Sequence, residues 1–398
     1  MHKFSILCII LQVWISGGLA SVEEDYIKKL IGDSTENGYK LDMLPPTGRK
    51  GSAHNFTQEP VMVDIALKLS TINELNLAQQ TFSLSAYFCM FWNDSRLQWQ
   101  PDVSTPRHGQ GSDVTTVNIA PTHIWTPNIA LANSYEAGFN TNMEKAKKTS
   151  LVTVSSLGTA DWCPQVHLKS HCTIDVTYYP WDQQICVLKF LSLDYNGNQL
   201  QFSLHNKDRS ADLSEMYLSV YFDVIEAPAY LNQYTDGPYL EQDATFYVTL
   251  RRRSGGLSPA LWLVLSLNVL TCLSILTCLL PSKNREMRSL LVTISGMGVL
   301  LIFYRVMETL PPTSLVLPMI VKYILFSLGV ILTAFVGNLV TANIYEGMNL
   351  FGKKSSDKEG NLERRLKIGN ILDMIFFFGL GVVWIIGNLW VFKAGFPY

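Results

Sequence analysis

Cys172 and Cys186 enclose a stretch that alternates polar and apolar side chains and then turns at Tyr179-Pro180-Trp181-Asp182. Alternation reads as a strand, and Pro with Asp reads as a tight turn. The chemistry open to such a pair is oxidation. Joined, the two thiols would staple an exposed loop that could not otherwise hold one shape. The chain has seven cysteines, at 8, 89, 163, 172, 186, 272 and 278. Cys8 lies in the apolar start of the chain, and Cys272 and Cys278 lie in a second apolar run. The remaining four are an even number, suited to an oxidising compartment. No Gly-rich phosphate loop, zinc-ligand spacing or Ser-His-Asp arrangement is present. An enzyme is therefore not expected, nor a catalytic residue, metal or cofactor. A net charge of -2 argues against a nucleic-acid partner.

A different chemistry is written into residues 287–308. This run is apolar but interrupted by Ser289, Thr293, Ser295, Gly296, Gly298, Tyr304, Arg305 and Glu308. Polar groups at membrane depth are expensive unless they face water or partners. A helical period of about 3.6 residues puts Ser289, Thr293, Met297, Leu300, Tyr304 and Glu308 on one stripe. Several such helices around an axis would make polar rings near both mouths of a pore. Met297 and Leu300 or Leu301 would form an apolar constriction between them, able to close by dewetting. The alternative is a packed helix whose small residues admit close neighbours. Polar residues confined to one stripe favour the pore.

The elements that must position these residues follow from composition. At 398 residues two units are expected, and 48% hydrophobic against 16% charged residues tilts the balance towards membrane. Residues 1–20 have the form of a signal peptide: His2 and Lys3, an apolar core to Ile15, and small residues at Gly17, Gly18 and Ala20. Residues 21–255 carry short alternating runs separated by turn residues, such as 61–69, 81–92, 114–119, 151–156 and 245–250. That pattern predicts a β-sandwich, preceded by a short helix over 25–31. After Arg251-Arg252-Arg253 come four apolar segments, at about 257–280, 287–308, 314–345 and 367–392, each near the roughly 20 residues needed to cross a bilayer. Lys283, Arg285 and Arg288 follow the first segment, and Lys353, Lys354, Lys358, Arg364, Arg365 and Lys367 precede the fourth. Positive loops stay in the cytoplasm, so the β-rich unit lies outside and 346–366 forms a short cytoplasmic loop. Asn55-Phe56-Thr57 and Asn93-Asp94-Ser95 fit the N-glycosylation pattern.

The loop from Cys172 to Cys186 closely resembles the signature loop of the Cys-loop receptors, the pentameric ligand-gated ion channels. Trp125-Thr126-Pro127-Asn128 is similar to the family's Trp-x-Pro-Asp, and Trp92 to Trp99 to its Trp-x-Asp-x-x-Leu-x-Trp strand. Together with the four segments, these motifs resemble a nicotinic acetylcholine receptor-like subunit of invertebrate type. The resemblance implies an extracellular immunoglobulin-like β-sandwich followed by a four-helix transmembrane bundle, assembled as a homopentamer around a central pore. Its partners would be four further subunits, a small-molecule agonist, the lipid bilayer of the plasma membrane and permeant inorganic ions. An anion-selective or obligate heteromeric subunit of the same family would be the runner-up, and a non-conducting membrane-anchored receptor a further one.

In the family the agonist sits between subunits in a box of aromatics that often holds a cationic amine. Here Ala132 stands where acetylcholine-binding subunits carry Tyr, and Leu193 where they carry Trp. Tyr195 keeps its surroundings, Tyr234 matches a loop Tyr, Tyr239 lies two residues from Glu241 where the second is expected, and Tyr87 stands for a Trp on the opposite face. The adjacent-cysteine pair is replaced by Asp236-Gly237. Cys89 shares a strand face with Tyr87, and Cys163 aligns to a neighbouring strand of that face. The two would be either a second disulfide or separate thiols. Glu286 and Glu308 favour cations, while Arg285, Arg288 and Arg305 oppose them if they point inward. The chain has one residue more than the family spacing within 281–311, which leaves the pore register open by one. The resemblance further implies that Pro180, Trp181 and Asp182 press on the link at Pro311 and Pro312, with Arg251, Arg252 and Arg253 at the junction, where Asp175 or Asp182 could pair with them.

Overall fold

A computed structural model describes residues 24, 27–32, 39–47, 49–50, 57–101, 114–135, 138–205, 209–253, 259–281, 284–311, 316–346 and 362–395. The expected signal peptide, Asn55 and Pro312 lie outside the described residues.

Fourteen strands come first: β1 (Arg49–Lys50), β2 (Thr57–Gln58), β3 (Val61–Asn76), β4 (Thr81–Asn93), β5 (Thr116–Ile119), β6 (Ile129–Leu131), β7 (Val152–Ser155), β8 (Thr159–Trp162), β9 (Gln165–His171), β10 (Gln183–Ser192), β11 (Leu200–Leu204), β12 (Phe222–Glu226), β13 (Ala229–Asp236) and β14 (Tyr239–Arg252). One sheet runs β11-β3-β4-β8-β7-β5, with β9 also on β4; the other runs β12-β14-β10-β6, with β13 on β14. Strict alternation builds them. Val61, Val63, Ile65, Leu67 and Leu69 of β3 and Phe82, Leu84, Ala86, Phe88, Met90 and Trp92 of β4 are buried, as period two requires. The two inner faces meet where Phe88 stacks on Phe190 at 4.6 Å, and Phe190 meets Phe246 edge-on at 5.9 Å. This is the expected sandwich.

One element was not legible in the sequence: α1 (Gly138–Thr149), between β6 and β7. It is mostly polar, and among its described side chains Met143 and Ala146, three residues apart, sit in the sandwich core.

Four further helices follow, α2 (Pro259–Leu276, continued by a 3-10 turn to Leu279), α3 (Arg285–Thr309), α4 (Met319–Glu346) and α5 (Leu362–Gly395). All four are long and apolar enough to cross a membrane. The third starts at Met319 rather than near 314, because Pro318 opens it and its carbonyl accepts from Val321 and Lys322. The fourth is longer than expected at both ends.

Candidate functional site

Cys172 and Cys186 form a disulfide with their Cα atoms 4.9 Å apart. Inside the loop, Gln184 Nε2 donates to the Asp175 carbonyl at 2.7 Å and to Asp182 Oδ2 at 2.7 Å. Thr177 N donates to Asp175 Oδ1 at 2.9 Å. These bonds give a loop without regular structure its own satisfied backbone. Pro180, Trp181 and Asp182 are all buried. Val176 and Trp181 share one apolar cluster with Leu77 from the β3–β4 turn and with Val306, Leu310, Met319 and Ile320 of the helical part. The Met319 amide donates to the Thr177 carbonyl at 3.0 Å. The loop thus seats on the start of α4 as well as on the end of α3, where Leu310 and Pro311 are buried.

The three consecutive arginines, 251 to 253, were expected at this junction with Asp175 or Asp182 as partners, and Arg252 is the one that meets Asp182. Arg251 is exposed. Arg252 Nε donates to Asp182 Oδ1 at 2.7 Å, with its guanidinium 4.8 Å from the Phe222 ring and 5.2 Å from the Tyr179 ring. Arg253 pairs with Asp223 at 2.6 Å. Period two explains this, since residue 252 shares the face of buried Leu250 and Val248.

The aromatic box is assembled at one end of the second sheet. Trp125 is buried, edge-on to Trp92 at 6.1 Å and tilted against Tyr195 at 6.3 Å. Tyr195 is therefore half-buried on the core rather than presented outward. Ala132 is exposed beside β10, its amide donating to the Lys189 carbonyl at 2.7 Å. Leu193 is half-exposed, and its loop is held by Asn128 Nδ2 donating to Asp194 at 2.9 Å. Gly197 donates to the Leu240 carbonyl, and a side chain there would meet that oxygen at 2.8 Å. Only glycine lets this loop lie against the β13–β14 hairpin. Tyr234 and Tyr239 are exposed on that hairpin. Tyr87 and Cys163 lie elsewhere, on the first sheet, where Cys89 and Cys163 form a second disulfide beside exposed Tyr87.

Two residues of this end were missed. Lys189 Nζ lies 5.5 Å from the Tyr234 ring centroid and 3.0 Å from Asp243 Oδ2. The hydrogen bond to Asp243 raises the Lys189 pKa against the pull of burial. Burial pushes the Asp243 carboxyl up, but bonds from Thr245, Asn232 and Lys189 outweigh it and hold the group below the ordinary range. The available signal was Lys189 inside the apolar run of its strand; Asp243 follows Glu241 and Gln242 and carried none.

The second helix of the bundle, α3, is two-faced. Arg288, Val292, Ser295, Val299 and Val306 are buried. Glu286, Thr293, Met297, Leu300, Tyr304 and Glu308 are exposed in the single chain. At about 100° per residue these six lie within about 60° of Met297, and the buried line lies opposite. Ser289 falls at the flank, half-buried, with its hydroxyl on the Glu286 carbonyl at 2.9 Å. Leu290, exposed, stands nearer the centre of the arc. Arg305 pairs with Glu308 at 2.9 Å, so the outer carboxylate has its own counter-charge. Arg288, expected as a basic residue at the inner mouth, is turned away. It is 1% exposed and forms a bidentate pair with Asp373 of α5, at 2.6 and 3.2 Å. Asn93 ends β4 on the surface, open to a glycan.

A β-sandwich whose stapled loop seats on a bundle of four membrane-spanning helices defines a membrane receptor, with its β-rich part outside. Residues 36–254 match the profile of the neurotransmitter-gated ion-channel ligand binding domain. The chain is 32% identical over 328 residues to acetylcholine receptor subunit beta-like 1 of Drosophila melanogaster, covering 82% of this chain and 58% of that one. It is 34% identical over 281 residues to acetylcholine receptor subunit alpha-like of Manduca sexta, covering 68% and 51%. It is 30% identical over 296 residues to the beta-type acr-2 subunit of Caenorhabditis elegans, covering 73% and 48%. The matched region is thus about half the length of these relatives. The chain belongs to the neurotransmitter-gated ion-channel family, a family of receptors and not of enzymes, and is nicotinic-like.

Proposed function

We propose that this chain is a subunit of a pentameric, cation-selective channel opened by an extracellular ligand bound between neighbouring subunits. The carrying observation is the arc of α3 centred on Met297. It holds Glu286 at its inner end, while Arg288 is turned into the protein. Five such arcs around an axis would line a pore with an apolar waist at Met297 and Leu300 or Leu301 and a carboxylate ring at the inner mouth. Glu308 adds less, because Arg305 offsets it. Closed rotational symmetry is the ordinary way to surround such an axis.

Ligand would sit where one copy's Leu193, Ala132, Tyr234 and Tyr239 face a neighbour's Tyr87 and Cys89–Cys163 bridge. The relatives' names point to acetylcholine. Ala132 and Leu193 replace aromatics each worth about 1–2 kcal/mol to a bound amine, so a homomeric site would hold it weakly. That favours, as a second reading, a heteromer in which another subunit supplies the aromatic face. Signal would pass through the loop at Pro180 and Trp181 to the end of α3 at Pro311, a route supported by the cluster that Trp181 shares with Leu310.

Expressing the chain alone and with a nicotinic partner, and recording currents against amines and amino acids, tests this. Reversal potentials in diluted NaCl are expected to follow sodium. Glu286→Gln is expected to lower the sodium-to-chloride permeability ratio severalfold, while Glu308→Gln changes it less. A reversal potential that follows chloride in the unmodified protein would overturn cation selectivity.

A further inference from the structure

In the single chain α5 is the least buried of the four spans. Yet Asp373, on this helix, is 7% exposed and points inward. Its partner Arg288 stands in the first turn of α3, on the line opposite Met297. Both carboxylate oxygens are engaged, Oδ1 by Nη2 at 2.6 Å and Oδ2 by Nη1 at 3.2 Å. Cys278, at the end of the turn that follows α2, is buried beside them. At the same end of the bundle Asn338 of α4 donates to Thr277 Oγ1 at 2.8 Å. One polar link therefore joins α2 to α4, and an ionic one joins α3 to α5.

An arginine at membrane depth seeks either a carboxylate or water. The planar guanidinium matches a carboxylate in a two-bond fork, which fixes orientation as well as distance. Without Asp373, Arg288 would turn toward water, at the inner end of α3 or in the pore on the opposite side of that helix. Resting on the reading of α3 as the pore helix, we infer that Asp373 is a positioning residue. By holding the Arg288 guanidinium inside the bundle, it fixes the rotational setting of α3 and keeps the Met297 arc turned to the axis. The outermost helix thereby controls the orientation of the innermost one.

The test uses full-length protein at the cell surface, carrying Met297→Cys or Val299→Cys, labelled with a membrane-impermeant methanethiosulfonate-biotin. Labelling of the parent chain, which retains Cys272 and Cys278, is subtracted. Residue 299 is buried and residue 297 exposed, so the unmodified background should label 297 at least tenfold more than 299. Asp373→Asn should cut that ratio at least threefold, and Arg288→Gln with Asp373→Asn should restore it. An unchanged ratio in Asp373→Asn overturns the inference. If Asp373→Asn fails to reach the surface, recovery by the double variant supports the inference, because the harm then lies in the unpaired charge. A double variant that is also retained overturns it, because the site is then needed only for packing. Failure of the pore reading looks different: 297 would stay unlabelled at the surface even in the unmodified background.

Discussion

Asp182→Ala is expected to remove about 3–5 kcal/mol of folding stability, the usual cost of stranding one member of a buried ion pair. The side chain of Asp182 is 1% exposed and that of Arg252 19%, so solvent screens the pair little. The substitution leaves Arg252 among Phe222 and Tyr179 with no anion, and takes from Gln184 one of its acceptors. A domain of ordinary stability has only about 5–15 kcal/mol in all, so surface-labelled receptor should fall steeply and the thermal midpoint of purified protein should drop. Asp182→Asn keeps one acceptor oxygen but turns the other into a donor facing Arg252 or Gln184, and should lie between. Equal stability of Asp182→Ala and the unmodified protein would show the pair to be incidental.

Trp181→Ala should cost about 3 kcal/mol, at the low end for deleting a buried indole, because the residue sits at a domain boundary with 8% of its surface open. Its larger effect should be functional. Trp181 is the bulkiest member of the cluster that includes Leu310 and Met319, so its loss empties the space between sandwich and helices. Receptor that reaches the surface should still bind ligand but open poorly, raising the concentration for half-maximal current well above any change in binding. Trp181→Phe should restore most of the opening. Parallel shifts in binding and opening would place Trp181 in the binding reaction rather than in transmission.

The stapled loop itself offers a simpler check. Cys172→Ser with Cys186→Ser should cost about 2–5 kcal/mol, the usual loss for a native disulfide, read as a lower thermal midpoint. No change would mean that the loop's internal hydrogen bonds suffice.

The sandwich and the four spans were readable because one period dominates each. β3 and β4 alternate without error over their buried faces, and each of α2 to α5 contains a predominantly apolar run long enough to cross a membrane. Phase was harder to read than period. Nothing in the run Arg251-Arg252-Arg253 says that the middle one meets Asp182, and the polarity of Ser289 does not say that it sits half-buried at the flank of its helix. A side chain's polarity suggested its direction, and packing of its neighbours decided it. Other features were hidden by distance. Asp373 lies 85 residues from Arg288, and Asp94 lies 55 from Tyr39, whose hydroxyl donates to it at 2.6 Å. That hydroxyl also accepts from Arg96 and from the Trp125 amide, and burial keeps its pKa high. Helix α1 escaped because polar residues surround its two buried ones, leaving almost no stripe to detect.

The outer helix α5 has 34 residues, a rod of about 51 Å at 1.5 Å per residue, against a hydrocarbon layer of about 30 Å. Moderate tilt absorbs only part of the excess. Arg364, Arg365 and Lys367 mark the end that stands in the cytosol. How deep Asp373 rides is therefore a matter of bilayer thickness. A sterol-rich membrane, a few Å thicker, would immerse about one more turn of this rod than a thin one.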